Sequence, residues 1–348
     1  MPNAKSNACL MNQQGLTSFG YFDQAMDLGL SQFQYFNNMD KPANRLSRYF
    51  NYKQFQFVSI NSGDYIIGVA IADIRYLGNG FCYVYDVKNN TLLEENWLRP
   101  PKLGYQTTPS PVDGAAFIGT EKNHIHINIV NGQWQLIINT AHLSVDVTIS
   151  PSDESLPLAL SSPTAYNGWT YTQKHNALTV EGQLLVNNEP QDLSQALAGY
   201  DFSAGYMRRE TSWRWASINT YLTDGTKLGL NLATGVNESG FSENCCWLDG
   251  QRYYLPAVHF DFQRQRSKEQ NNSPWFITSH EKTAAGNAVV ELSFEPLNCR
   301  QERLNLYVLK SNFRQYIGYY SGVIYTPDGN KIMIDKLLGL SEDHFARW

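Results

Sequence analysis

Along most of this chain apolar and polar residues alternate with a period of two, the mark of strands that bury one face. His124-Ile-His-Ile-Asn-Ile129 alternates cleanly, and Asn131-Gly132 turns it back into Trp134–Asn139. An Asn-Gly pair between two alternating runs signals a hairpin, because both residues tolerate positive φ. Leu143, Val145, Val147 and Ile149 make another apolar face, with Ser144, Asp146 and Thr148 on the opposite side. Earlier strands are expected at Phe55–Ile60, Ile66–Ile71 and Phe81–Tyr85, with Gly78-Asn-Gly80 turning between the last two. Pro100, Pro101, Pro109 and Pro111 predict a long crossing loop over 96–113.

The second half continues in the same style. Leu178–Val186 reads as a strand and Gln191–Ala198 as one short helix. Trp213–Asn219 is expected to turn near Asp224-Gly225 into Lys227–Leu232, and Cys245–Leu248 at Asp249-Gly250 into Arg252–Leu255. Val258, Phe260 and Phe262 alternate with His259 and Asp261; Ala288–Phe294, Leu304–Leu309, Tyr316–Tyr325 and Lys331–Asp335 complete the strands. Short strands joined by tight turns, with almost no helical period, predict an all-β protein of two antiparallel β-barrel or β-sandwich domains. Residues 1–50 are polar and irregular, a lead-in. The break Pro151-Ser-Asp-Glu-Ser-Leu-Pro157 divides a first β-domain, 51–160, from a second, 161–348.

Composition changes this picture little. The 348 residues are 42% hydrophobic and 13% aromatic, enough for a large core. A net charge of −5 gives no electrostatic reason to bind nucleic acid. The first residues lack the apolar run of a signal peptide, and no run is long enough to cross a bilayer. The five cysteines include no CxxC pair, and adjacent Cys245 and Cys246 would point to opposite faces of a strand. Free thiols in the cytoplasm are the simplest account. Nothing in the sequence sets an oligomeric state.

Candidate chemistry is concentrated late. No phosphate loop, GxSxG elbow, HExxH or EF-hand loop is present, and no cofactor is expected. His124 and His126 share a strand face and would need a third ligand such as His142 to hold a metal; the plainer reading is the polar face of an amphipathic strand, so no metal site is assigned. The densest stretch is Gly205-Tyr-Met-Arg-Arg-Glu-Thr-Ser-Trp-Arg-Trp-Ala-Ser217, where Trp213 and Trp215 share one face and Arg214 takes the other. Glu210, Glu238, Glu243, Asp343 and His344 lie in polar–aromatic surroundings, where a carboxylic acid buried against tryptophan has a raised pKa and can act as an acid. Ion pairs to Arg208, Arg209 and Arg214 are the ordinary alternative. At the end of the chain, Phe345 and Trp348 would share a side if the segment makes a helical turn. That turn would dock Trp348 as a clasp, with Asp343 or His344 reaching the arginines of 208–214.

Several blocks, in order, resemble a bacterial family of unknown function, the "domain of unknown function 2804" family. They are the Gly205–Ser217 stretch, Leu228-Gly-Leu-Asn-Leu232, Glu243-Asn244 with Trp247 and Asp249-Gly250, and the ending Leu338-Gly-Leu-Ser-Glu-Asp-His-Phe-Ala-Arg-Trp348. Val69-Ala-Ile-Ala-Asp73 and Tyr83-Val-Tyr-Asp86 are similar to its N-terminal half. The resemblance implies a pair of calycin- or lipocalin-like β-domains, distantly similar to carotenoid 1,2-hydratase-like (hydroxyneurosporene synthase) proteins. Some such relatives are cofactor-free hydratases, cyclases or isomerases of isoprenoid or polyketide chains. The expectation is a hydrophobic small molecule (isoprenoid-, lipid- or polyketide-like) held in a β-barrel cavity and acted on by a cofactor-free hydratase, lyase or isomerase. In that reading Glu243 or Asp343 supplies the proton, Asp343 and His344 form an acid–base pair, Trp213 and Trp215 supply aromatic faces, and Arg209 or Asn244 positions the ligand. A carrier without chemistry is the alternative, and a carbohydrate-active β-protein a further one.

Overall fold

A computed structural model describes residues 8–24, 26–152, 154–235, 240–264, 273–307 and 309–348. Two antiparallel sheets account for nearly all of it, a nearly closed barrel followed by a half-barrel. Around the first sheet the strands run Thr91–Arg99, Gly78–Asp86, Tyr65–Asp73, Lys53–Asn61, Leu197–Gly205, Gly168–Val186, Leu143–Ser150, Gln133–Asn139, His124–Val130, Gly114–Gly119 and Tyr105–Thr107. Glu95, near one edge, reaches across the gap and accepts from Asn123 Nδ2 (2.7 Å) and the Ala141 amide (3.2 Å). The alternating apolar residues read from the sequence meet inside this barrel: Ile125, Ile127, Leu136, Ile138, Val145 and Val147 are all buried, and Trp134 stacks on Tyr200 at 4.3 Å.

The half-barrel runs Gln251–Tyr254, Cys245–Leu248, Lys227–Thr234, Glu210–Tyr221, Lys331–Arg347, Leu309–Tyr325, Val290–Leu306, Trp275–Ser279 and Val258–Asp261. Its inner face is a second core of Ile218, Leu230, Cys246, Trp275, Phe294 and Tyr320. Cys245 faces away from it, as the alternation requires. The outer faces of the two sheets meet in a third cluster that includes Phe57, Ala70, Phe81, Tyr83, Trp215, Phe313 and Leu340. A bulge in the Gly168–Val186 strand pins them together. There Ala177 takes φ 57°, Asn176 Nδ2 donates to Ser217 Oγ (2.8 Å), and the Ala177 amide donates to Asn219 Oδ1 (2.8 Å). Gly229 lies under this bulge, where a Cβ would come within 2.7 Å of the Asn176 side chain.

Several local expectations need correction. The chain passes from the first sheet to the second between Gly205 and Glu210, well beyond the Pro151–Pro157 break. That break falls between two strands of the first sheet, Leu143–Ser150 and Leu158–Thr164, both of which pair with Gly168–Val186. Gly78-Asn-Gly80 opens a strand rather than a turn: a Cβ on Gly78 would strike the Tyr105 ring at 2.5 Å, and one on Gly80 would strike Ile118 at 2.7 Å. These glycines admit neighbours. Gln191–Ala198 contains no helix, whereas Arg45–Asn51 forms one, capped by Asn44 Oδ1 accepting from the Ser47 amide at 2.8 Å. Leu304–Leu309 straddles a hairpin turn, with Tyr307 at φ 54°. The proline-rich 96–113 segment still carries Thr91–Arg99 to its end and the short strand Tyr105–Thr107.

Candidate functional site

Where the two sheets meet, their outer faces leave a cavity of about 180 Å³. Phe55, Phe57, Ala70, Ala72 and Phe81 form one wall, from the barrel; Trp213, Trp215, Phe313, Glu342, His344 and Trp348 form the other, from the half-barrel. Phe57 meets Trp215 edge-on at 5.5 Å, and Phe81 lies 5.5 Å from Phe313. The cavity therefore lies between the domains, outside both barrel interiors. Side chains fill those interiors.

The half-barrel wall is set by the register of three long strands. Trp213 lies opposite His344, and Trp215 opposite Glu342, while Phe313 and Gln315 face the same two residues from the other side. Directly opposed residues share a face, so all six belong to the cavity side. Glu342 is buried and accepts from Trp213 Nε1 (2.8 Å) and from Gln315 Nε2 (3.0 Å). Tyr83, from the barrel, donates to Gln315 Oε1 at 2.7 Å. His344 lies between the Trp213 ring (4.2 Å) and the Phe313 ring (5.0 Å). Its Nε2 meets Ser311 Oγ at 2.9 Å, and its Nδ1, 3.7 Å from Glu342 Oε1, makes no hydrogen bond. Serine, imidazole and carboxylate are thus in line along an aromatic wall.

A second polar group faces the cavity from beyond Trp215. Lys174 is buried and pairs with Asp201 and, at 3.3 Å, with Glu243. Burial pulls the lysine pKa down, but Asp201 and then Glu243 outweigh it and hold the ammonium above its usual value. Trp215 Nε1 donates to Asn231 Oδ1 (2.7 Å), and Asn231 Nδ2 donates to the Glu243 carbonyl (2.7 Å), tying the indole to this group. Lys53, also on the cavity, lies 5.0 Å over the Tyr76 ring and donates to the Phe50 carbonyl. There burial dominates and lowers the pKa to about 7, against the opposing pull of Asp73 and with some help from Arg75.

Of the residues expected from sequence, Trp213, Trp215, Glu243 and His344 line the cavity. Asp343 does not. Next to His344 on an extended strand, it points to the opposite face, where Arg264 (2.9 Å), Arg214 (3.4 Å) and Arg314 (3.4 Å) hold it. Asp343 and His344 therefore face opposite sides of the sheet, and Glu342 stands beside His344. Asn244 is buried as a brace, accepting from the Ala233 amide and donating to the Pro256 carbonyl, each at 2.7 Å. Arg209 is exposed and off the cavity, which its neighbour Arg208 lines. Glu210 is exposed at the strand end, and Glu238 lies outside the described residues. His124 and His126 pack against Phe117, and His142 meets Asn187. Among the described residues no three His, Cys, Asp or Glu are placed to hold a metal.

The chain end is docked, but as strand rather than helix. Past a bulge at Lys336 the strand Lys331–Arg347 is extended to its end, so Phe345 and Trp348 fall on opposite faces. Trp348 is half-buried at the cavity mouth, its indole donating to the Arg208 carbonyl (3.1 Å) and its amide to the Arg209 carbonyl (3.0 Å). Sequence reasoning missed Glu342, Ser311, Lys174, Asp201 and Lys53. Glu342 carried a signal, since it falls on the parity of His344 within one strand.

The chain belongs to the family described as "Domain of unknown function (DUF2804)", whose profile matches residues 5–348. No curated protein matches the sequence. Among solved structures it is similar to CghA with Sch210972, at TM-score 0.52 and 10% identity over 97% of each chain. It is also similar to kievitone hydratase from Nectria haematococca, at TM-score 0.49 and 10% identity, covering 85% of this chain and 88% of that one. At such identities the likeness is one of fold, two lipocalin-like β-domains. Among the described residues no helix is long and apolar enough to cross a membrane.

Proposed function

We propose that the cavity between the sheets binds an apolar small molecule of isoprenoid, lipid or polyketide type and transfers a proton to or from it, as a cofactor-free hydratase, lyase or isomerase. The observation that carries this is His344, set between aromatic rings, with Ser311 on one nitrogen and the Glu342 carboxylate 3.7 Å from the other. Glu342 stabilises the imidazolium, which gives up its proton directly or through the Ser311 hydroxyl. Protonating an alkene carbon leaves a cation at its neighbour, and the faces of Trp213 and Phe313 lie where such charge is stabilised. Water adding to that cation and returning a proton to the imidazole completes a hydration; the reverse is a lyase step. Loss of a proton from a different carbon is an isomerisation. The fold neighbour CghA was solved with Sch210972, which supports the view that this architecture can hold a small molecule.

Untargeted mass spectrometry of small molecules that co-purify tests the binding. An apolar compound should accompany the parent and be depleted in Ala72→Phe, which fills the cavity from a lining position. Equal recovery from both would overturn the site. If the compound stays unchanged in the parent under every condition of pH and time, the protein carries it rather than converting it.

A further inference from the structure

The face of the half-barrel turned away from the cavity gathers a set of charges that the proposed chemistry does not use. At one end of its inner core, Arg264, Arg303 and Arg314 line a cleft of about 500 Å³ together with Ser212, Asn312, Asp343 and Phe345, and Arg214 reaches the same Asp343 from beside it. Asp343 is the only acid among those lining residues, so the three lining guanidiniums, with Arg214 beside them, share one carboxylate. Arg264 takes it bidentately, Nε to Oδ2 at 2.9 Å and Nη2 to Oδ1 at 3.0 Å. Arg214 and Arg314 are left at 3.4 Å. Each guanidinium has five N–H donors, far more than one carboxylate can accept.

The excess is visible atom by atom. Arg314 is 7% exposed, yet its Nε finds no hydrogen-bond partner. A buried, unpaired donor of this kind is costly unless something fills it. Asn312 lines the same cleft with an unpartnered Oδ1; turning its amide over would present N–H groups there instead. Arg303 is exposed and has no ion-pair partner among the described residues. The Phe262 ring lies 5.9 and 5.6 Å from the Arg214 and Arg264 guanidiniums and stacks on Trp275 at 4.1 Å. Arg214 and Arg264 are thereby packed against the core.

We propose that this cleft is a second binding site, for a phosphate-bearing small molecule, with Arg314 at its floor and Arg264 and Arg303 at its rim. A guanidinium fork matches phosphate oxygens, and a phosphate monoester near pH 7 carries about two negative charges, which suits the positive excess left after Asp343. A single carboxylate would only repeat what Asp343 supplies. The site is independent of the cavity ligand because it lies behind the wall, on residues of opposite parity.

Isothermal titration of the whole protein with inorganic phosphate, pyrophosphate and citrate, at matched ionic strength, tests it. Phosphate should bind, pyrophosphate more tightly, and both should weaken as chloride is raised. Arg303→Ala, which removes an exposed side chain and so leaves the fold intact, should weaken pyrophosphate about tenfold, and Arg264→Ala at least as much. No binding of either phosphate, or equal affinity in the parent and Arg303→Ala, overturns the proposal. Citrate binding as tightly as pyrophosphate overturns its phosphate part.

Discussion

Glu342, Asp343 and His344 are consecutive, yet the sheet divides them between two faces. On the cavity side Glu342 accepts from an indole and an amide and lies near an imidazole, with no Lys or Arg on its oxygens among the described residues. On the far side Asp343 is held by three arginines. One carboxylate is left with neutral donors and an imidazole beside it; the other has three guanidiniums on it. Such a difference separates an acid–base group from a structural or anion-binding one, and a one-residue slip in register would exchange the two roles.

The largest effect should come from the cavity side. His344→Gln is expected to lower turnover of the bound compound by at least about a hundredfold, the usual scale for a lost general acid or base. Glu342→Gln should cost about tenfold or more, because the imidazolium loses its counter-charge. Asp343→Asn should leave turnover within about threefold. Single-turnover rates on the co-purified compound decide: if Asp343→Asn proves as damaging as His344→Gln, the division by face fails.

Stability should rank the residues the other way. Asp343→Asn leaves the buried Arg314 without its counter-ion and is expected to cost about 3 kcal/mol, the low end for breaking a buried ion pair, since Arg214 and Arg264 reach solvent. Glu342→Gln keeps one amide oxygen to accept from Trp213 and should cost about 1 kcal/mol. Urea midpoints with an unchanged m-value measure both. Adding phosphate should recover part of the Asp343→Asn loss, which joins this prediction to the arginine cleft.

The same parity explains how much could be seen in the sequence. The strict alternation of 124–149 and its Asn-Gly turn are local, and the hairpin and strands there formed as expected. Trp213 and Trp215 sharing a face opposite Arg214 was equally legible. Which residues meet them was not, because that depends on pairing between strands more than a hundred residues apart: Trp213 opposite His344, and Phe57 across the sheet interface against Trp215. Lys174 and Asp201 were hidden for the same reason, since a lysine in an alternating run reads as exposed until a second sheet covers it. The C-terminal Phe345–Trp348 spacing misled because a period of three fits a helical turn, whereas pairing with a strand on each side imposed a period of two.

The comparison sharpens further on the opposite wall of the cavity, where two buried lysines differ as the two carboxylates do. Lys174 has two carboxylates on it and is held charged; Lys53 has an aromatic ring and a carbonyl, and the nearby Asp73 is already paired with Arg75 at 3.0 Å. Its pKa falls to about 7, where the unfolded chain keeps the ordinary value of 10.5. Below pH 7 both states hold the proton and the folded state bears the full cost of a buried charge. Between about 7 and 10.5 the unfolded chain binds a proton that the folded one has released, so stability attributable to this group rises with pH. Lys53→Met removes the charge and keeps much of the side-chain volume. It should therefore stabilise the protein by a few kcal/mol at pH 6, and by progressively less as the pH climbs toward 10. Urea midpoints of parent and variant at the two pH values isolate the effect, since every other titrating group cancels in the difference. A gap that is the same at both pH values would mean that Lys53 stays charged throughout, and that the cavity wall it occupies is wetter than its apolar lining implies.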